Sequence, residues 1–294
     1  MYRIKKFDYT PILGWSLSRY DLFQICKRRY YYTYYAKHDN QYPAERINSL
    51  KAMVSVPLAV GDITHQVIKT LIGRLLKDEG AINRKKFFEY TVRNLKRYCK
   101  TNIFREVYYK DVPQTDISGI ESDVTLCLAN FLNSDRMTWL RGSAIATKKD
   151  WILDPPGYGE SRIDGLKAYF KVDFLFPIRE QTYIIDWKTG KPHEEKYHKQ
   201  LLGYTSWASY NLDIEPEKIT PIIAYLKPEY EEKEYEFNEY DIQAFFTSIK
   251  RETAEMYEYC ADVEENNPKE KKFFIMTDNI DICKNCNYRE LCNR

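Results

Sequence analysis

The sequence predicts an α/β protein in which a β-rich centre is flanked by helices. Three observations predict it. As far as residue 141, apolar residues recur at helical spacing in most stretches. After Gly142 they gather in short runs rich in Phe, Val, Ile, Tyr and Trp, and from Glu194 the helical spacing returns. A length of 294 residues leaves ample core for one large domain. We expect that domain to comprise an N-terminal helical segment (1–56), a helical region (57–141), a sheet with its following helix (142–237), and a C-terminal helix ending in a cysteine-rich tail (238–294). Hydrophobic residues make up 44%, and no apolar run approaches the length of a membrane span. MYRIKKFDYT lacks the apolar core of a signal peptide, so a cytoplasmic location is the expectation. The net charge of +2 does not betray a nucleic-acid partner, and any such surface must come from local clusters.

Taken in order, LGWSLSRYDLFQICKRRYYYTYYAK predicts a helix entered through Ser16 or Ser18, with Leu22, Ile25 and Cys26 on one side. Residues 39–56 show little periodicity and predict a loop. Residues 57–79 predict an amphipathic helix with Ile63, Val67, Leu71 and Leu75 on one stripe. His65 lies in its first half, and Gly61, four residues earlier, would allow another element close approach. Residues 84–110 and 117–141 predict further helices. RKKFFEYTVRNLKRYCK is basic on one side, either a DNA-facing surface or a solvated face. IATKKDWILD, RIDGLKAYFKVDFLF and TYIIDWK read as strands, with DPPGYG a turn between the first two. Residues 194–210 predict a helix, 218–226 a buried strand, 229–237 an acidic edge strand, and 241–264 a long helix.

The stretch 171–204 carries the chemistry. FKVDFLF and TYIIDWK predict two antiparallel strands of a hairpin, joined by a short charged connection that starts with a Pro. Each apolar run holds one acid, Asp173 and Asp186, and a carboxylate there is costly to desolvate without compensation. Lys188 is two residues after Asp186 and so shares its face of the strand. Two carboxylates and an amine at one spot suit Mg²⁺ or Mn²⁺, with the ammonium beside a phosphate or a water. Gln200 and Tyr204, four apart on the next helix, stack on one face.

Seven cysteines in a chain with no export signal argue against a disulfide framework. Cys283, Cys286 and Cys292 form a C-x2-C-x5-C tail whose thiolates can reach one metal or cluster. A fourth ligand is required, and Cys26, Cys99, Cys127 and Cys260 are the candidates.

In this order, the Ser-x-Ser helix with Cys26, G-x-x-x-H at Gly61–His65, Asp173, D-x-K at Asp186–Lys188 followed by Thr-Gly, Q-x-x-x-Y at Gln200–Tyr204 and the cysteine tail resemble the PD-(D/E)xK nucleases of RecB type. More narrowly they are similar to the iron–sulfur branch that includes the AddB nuclease domain and the CRISPR-associated RecB-like exonucleases. The resemblance runs from Ser16 to Cys292. It implies a restriction-endonuclease-like core, a central mixed β-sheet flanked by helices, with the N- and C-terminal segments joined at a cysteine cluster. It also implies roles. His65, Asp173, Asp186 and the Trp187 carbonyl would hold Mg²⁺ or Mn²⁺. Lys188 would position or activate the attacking water. Gln200 and Tyr204 would line the site, contacting DNA or steadying the lysine. Cys26, Cys283, Cys286 and Cys292 would hold a 4Fe–4S cluster, with structural Zn²⁺ as the alternative.

The implied function is a DNA exonuclease acting on single strands or ends, in DNA repair, recombination, CRISPR or antiviral defence. The alternative is an inactive DNA-binding or scaffold subunit. No Walker sequence is present, so unwinding would come from a helicase partner; a CRISPR-integrase-type partner is the other expectation. About a hundred residues separate His65 from Asp173, more than in the compact CRISPR-associated members. The helices of 84–141 fill that gap, as a substrate gate or partner surface. Asp186→Ala or Lys188→Ala is expected to remove Mn²⁺-dependent cleavage with thermal stability nearly unchanged.

Overall fold

The computed structural model describes residues 4–78, 80–163 and 165–294; Glu79 and Asp164, which an expected helix and strand included, lie outside the described residues. In chain order the first elements are α1 (Leu17–Ile25), α2 (Lys27–Tyr34), α3 (Ala44–Lys51), α4 (Val56–Leu75), α5 (Arg84–Thr101), α6 (Arg105–Tyr108), α7 (Ile117–Asn133) and α8 (Asp135–Gly142). There follow β1 (Ile152–Leu153), β2 (Glu160–Ile163), β3 (Leu166–Tyr169), β4 (Phe174–Ile178), β5 (Gln181–Lys188), α9 (Glu194–Leu212), β6 (Ile219–Tyr225) and β7 (Glu231–Glu234). The chain closes with α10 (Glu239–Tyr257), β8 (Cys260–Asp262), β9 (Asn267–Pro268) and α11 (Ile280–Lys284). Among the described residues no helix is long and apolar enough to cross a membrane. The chain divides into two compact units.

The larger unit, built from residues 54–159 and 171–242, holds a mixed sheet in the order β1-β4-β5-β6-β7. β4 and β5 form the antiparallel hairpin, in the register Phe174↔Ile185 to Ile178↔Gln181. Pro177 lies inside β4 rather than at the start of the connection. β6 runs parallel to β5, which requires a crossover, and α9 supplies it. β7 closes the sheet antiparallel to β6. β6 is apolar along nearly its whole length because both its faces are covered. On α4 the expected stripe of Ile63, Val67, Leu71 and Leu75 is buried. It packs in one core with Val124, Leu128 and Phe131 of α7 and Phe174, Ile185 and Trp187 of the hairpin. Ser55 caps α4 by accepting the Leu58 N–H at 3.4 Å. A further expectation for this region changes. Residues 144–150 form 3₁₀ turns instead of a strand, leaving only the two residues of β1.

The second unit comprises residues 6–53, 160–170 and 243–294. Its first helix starts at the Ser16 cap, whose Oγ accepts the Arg19 N–H at 3.2 Å. The expected single helix breaks at Cys26, which is extended (φ −164°, ψ 113°) and caps α2 in turn by accepting the Arg29 N–H on Sγ at 3.4 Å. α3 forms where a loop was expected. It buries only Ile47 and Leu50, too few apolar positions to show a period. β2 and β3 pair with each other and not with the main sheet. Trp15 runs alongside β3 and donates its Nε1–H to the buried Glu252 carboxylate at 2.9 Å. The core here is aromatic, with Phe23, Tyr30, Tyr31, Tyr32 and Phe274 all buried. α10 ends at Tyr257, short of 264, and the chain continues as the β8–β9 hairpin.

Candidate active site

Alternation along β5 sends Ile185 and Trp187 into the core, and Asp186 and Lys188 to the other face, toward α9. Asp186 is 2% exposed. Its Oδ1 accepts from Gln200 Nε2 at 2.9 Å and from the Tyr204 hydroxyl at 3.1 Å. Gln200 Nε2 also donates to that hydroxyl at 2.5 Å. Lys188 Nζ lies 2.5 Å from Asp186 Oδ2 and donates to Gln200 Oε1 at 2.8 Å. Gln200 and Tyr204, one turn apart, thus meet the same carboxylate.

Sequence reasoning missed a further member. Tyr197 places its ring 4.6 Å from Lys188 Nζ, and its hydroxyl donates to the Lys191 carbonyl at 3.1 Å. The signal was present, since residues 197, 200 and 204 fall on one helical stripe.

Asp173 stands at a bend immediately before β4, not within the strand as expected. One step beyond the Phe174↔Ile185 pair, it faces Asp186. It accepts the backbone N–H of Trp187. His65, from α4, brings Nδ1 to 3.1 Å from Asp173 Oδ2, its ring edge-on to the Trp187 indole at 6.4 Å. Gly61 lies beneath Thr189, yet an added Cβ would stand 3.5 Å from Thr189 Oγ1, an ordinary contact, so the glycine is not forced by this approach. Asp154 also borders the site. Its N–H donates to the Asp173 carbonyl at 3.4 Å, and its carboxylate pairs with Lys69, one turn beyond His65. The structure therefore brings together His65, Asp173, Asp186, Lys188, Gln200 and Tyr204, while the Trp187 side chain turns into the core.

The charges are strongly linked. Burial pulls the His65 imidazole down, but Asp173 against it, and Asp186 beyond, push it up to about 9. Burial opposes the charge on Asp173, yet His65, Lys188 and the Trp187 N–H hold its carboxyl below the usual range. Burial pushes Asp186 above that range; Lys188 opposes the shift, and the Asp173 charge adds to it. Two adjacent carboxyls are thus driven apart in acidity.

The His65 imidazole ties stability to pH. Its folded value is raised, so the contribution to stability is whole below the ordinary value of 6.5 and is lost as pH rises through about 9. Thermal melts of the metal-free protein should show Tm falling across that window, and the fall should flatten in His65→Gln. An unchanged slope would remove the ion pair from the account.

The residues suit a divalent metal by donor type. Oδ2 of Asp173 and Oδ2 of Asp186 are buried without a well-directed hydrogen-bond donor, each meeting its cation only as an ion pair. Hard oxygens of this kind, with an imidazole beside them, match Mg²⁺ or Mn²⁺. As they stand, His65 and Lys188 neutralise these oxygens. Among the described residues no three His, Cys, Asp or Glu side chains are already grouped to hold a metal ion.

In the second unit, Cys26, Cys283, Cys286 and Cys292 line one small pocket with Arg29 and Tyr288. Cys286 Sγ accepts the Tyr288 N–H at 3.4 Å. Burial, with Cys26 and Cys283 nearby, raises the Cys286 thiol. Burial and the other three thiols push Cys292 up to about 11. The other three candidates lie elsewhere: Cys127 is in the core of the larger unit and Cys99 packs against it, and Cys260 sits against the Tyr35 hydroxyl. Four sulfurs on one pocket are the donor type for a soft metal or an iron–sulfur cluster.

Residues 14–293 match the PD-(D/E)XK nuclease superfamily. The chain belongs to that superfamily, whose members are phosphodiester-hydrolysing nucleases that typically use Mg²⁺ or Mn²⁺. Among solved structures, the crystal structure of SSO0001 is similar at 17% identity over 68% of this chain and 80% of that one, with a TM-score of 0.31. No curated protein matches.

Proposed function

We propose that this chain is a metal-dependent deoxyribonuclease, an exonuclease acting on single-stranded DNA or DNA ends in repair, recombination or defence against foreign DNA. The observation that carries the reading is the convergence of His65, Asp173, Asp186, Lys188, Gln200 and Tyr204 at the end of β5, in a chain of this superfamily. His65, Asp173, Asp186 and the Trp187 carbonyl would hold the ion. When bound, Mg²⁺ or Mn²⁺ supplies Lewis-acid polarisation of the phosphate and a water of lowered pKa.

The chain's own groups do the rest. Gln200 and the Tyr204 hydroxyl fix one oxygen of Asp186 and so orient the carboxylate. Lys188 brings positive charge to a phosphate as its negative charge develops. Tyr197 and Gln200 hold that ammonium in place at a cation–π contact worth about 0.5–2 kcal/mol. In the second unit, Cys26, Cys283, Cys286 and Cys292 would hold a 4Fe–4S cluster, with Zn²⁺ as the alternative occupant. A helicase or a CRISPR-integrase-type protein would supply the substrate strand.

The test is digestion of 5′- and 3′-end-labelled single- and double-stranded DNA with Mg²⁺ or Mn²⁺. Wild-type protein should release short products from the single strand, and Lys188→Ala should cut at least about 100-fold more slowly. Equal rates would place the chemistry elsewhere. A DNA-binding scaffold is the competing reading, favoured by the fact that each catalytic-site carboxylate is already neutralised within the chain. Tight DNA binding with no cleavage under either metal would establish it.

A further inference from the structure

α5 concentrates charge that the chain as a whole balances. Between Arg84 and Thr101 stand seven basic residues and one acid, Glu89, against a net +2 for all 294 residues. The helix packs antiparallel along α4, the element that carries His65. Two hydrogen bonds fix that register: Tyr90 to Thr70 at 3.3 Å and Tyr98 to Asp62 at 2.7 Å. Position 94 of α5 is therefore level with residues 65 and 66 of α4.

The cations of α5 fall into two groups around its axis at 100° per residue. Lys86, Arg93 and Arg97 lie on the exposed flank beside Tyr90, next to α4, whereas Lys85 and Lys96 lie on the flank turned away. Arg97 is held by its Nη2–H bond to Asn94 Oδ1 at 2.8 Å, a neutral partner that leaves the charge uncompensated. Glu89, three residues after Lys86 and four before Arg93, borders this flank, while Asp62 of α4 accepts the Tyr98 hydroxyl. Lys86 to Arg97 spans about 16 Å at 1.5 Å per residue, enough for several phosphates of one strand. Helices in contact pack about 8–10 Å apart, so the row runs roughly one helix diameter from His65.

We propose that Lys86, Arg93 and Arg97 form a track for the phosphate backbone of a single DNA strand, leading along α4 to the active site. This deepens the nuclease reading above by naming the surface that receives the substrate. A row of three cations with one bordering carboxylate, Glu89, level with the catalytic histidine fits a polyanion, and each phosphate neutralised releases counterions. The long insertion between His65 and Asp173 thereby acquires a use in substrate capture.

The experiment compares two matched double variants, Arg93→Gln/Arg97→Gln and Lys85→Gln/Lys96→Gln. Fluorescence anisotropy with a labelled 12-nucleotide strand, in Ca²⁺ and between 50 and 200 mM salt, reads affinity without cleavage. The first variant should bind about 10- to 30-fold more weakly, and its log–log salt slope should flatten by about 1.4, at about 0.7 per lost contact. The second should match wild type in affinity, salt slope and kcat. Equal weakening in both variants would reduce the track to general electrostatics and overturn it, as would no change in either or no binding by the wild-type protein. DNA held by the track in a wild-type protein that fails to cleave it with either Mg²⁺ or Mn²⁺ would sink the nuclease reading and leave the track standing.

Discussion

Replacing Asp186 by asparagine should lower kcat on DNA by about 10³-fold or more, a loss on the scale of removing one essential electrostatic group, while Tm stays within about 4 °C of wild type. The asparagine Oδ1 can still accept from Gln200 and Tyr204, which hold the native carboxylate. The substitution also relieves repulsion with Asp173, one source of the raised pKa of Asp186. The alanine variant is a poorer test than the sequence suggested. It would leave Gln200, Tyr204 and Lys188 facing a buried gap, and each unpaired buried polar group costs about 1–3 kcal/mol. Its loss of activity would mix damage to the site with damage to the fold. End-labelled DNA with Mn²⁺, alongside thermal melts of the same samples, measures both. Full activity in Asp186→Asn would remove Asp186 from the chemistry.

Cys286→Ser should produce the largest stability change. Four thiols share one pocket, and burial with mutual repulsion holds Cys286 and Cys292 in their neutral form. A bound cation reverses that preference, so binding energy becomes folding energy. Protein purified without oxygen should be brown if it carries a 4Fe–4S cluster, and colourless with about one zinc per chain if it carries Zn²⁺. Cys286→Ser should lose the group and about 10 °C or more of Tm. Cys127→Ser, in the apolar core of the larger unit, should keep the group. A wild-type chain holding neither iron nor zinc, with Cys286→Ser equally stable, would leave the four cysteines as packing residues.

Much of this arrangement was legible because its signals are local. The β4–β5 hairpin follows from β-branched and aromatic runs, and the pairing of Asp186 with Lys188 from the two-residue period of a strand. The α4 stripe follows from helical spacing at Ile63, Val67, Leu71 and Leu75. What escaped depended on distance or on single residues. The break at Cys26 needs one residue in an extended conformation between two good helical segments, and no periodicity announces it. β2 and β3 carry the composition of main-sheet strands, yet pair with each other and with Trp15 rather than with the main sheet, because composition does not encode a partner. α3 was missed since two buried side chains make no pattern. In the site, the bend at Asp173 and the ring of Tyr197 under Lys188 become visible only once β4, β5 and α9 are in place.

The margins of the sheet have a consequence for how the protein behaves when concentrated. An outer strand with unpaired amides is a template for aggregation. One margin, β1, is only two residues long. The other, β7, reads Glu-Glu-Lys-Glu, and Arg136 grips Glu232 through two nitrogens at 2.9 and 2.6 Å and reaches Glu234 at 3.4 Å, while Glu231 and Lys233 are exposed. A second molecule adding a strand there would set like charges against each other, so the apolar run of β6 stays shielded from amyloid-like stacking by the strand that borders it.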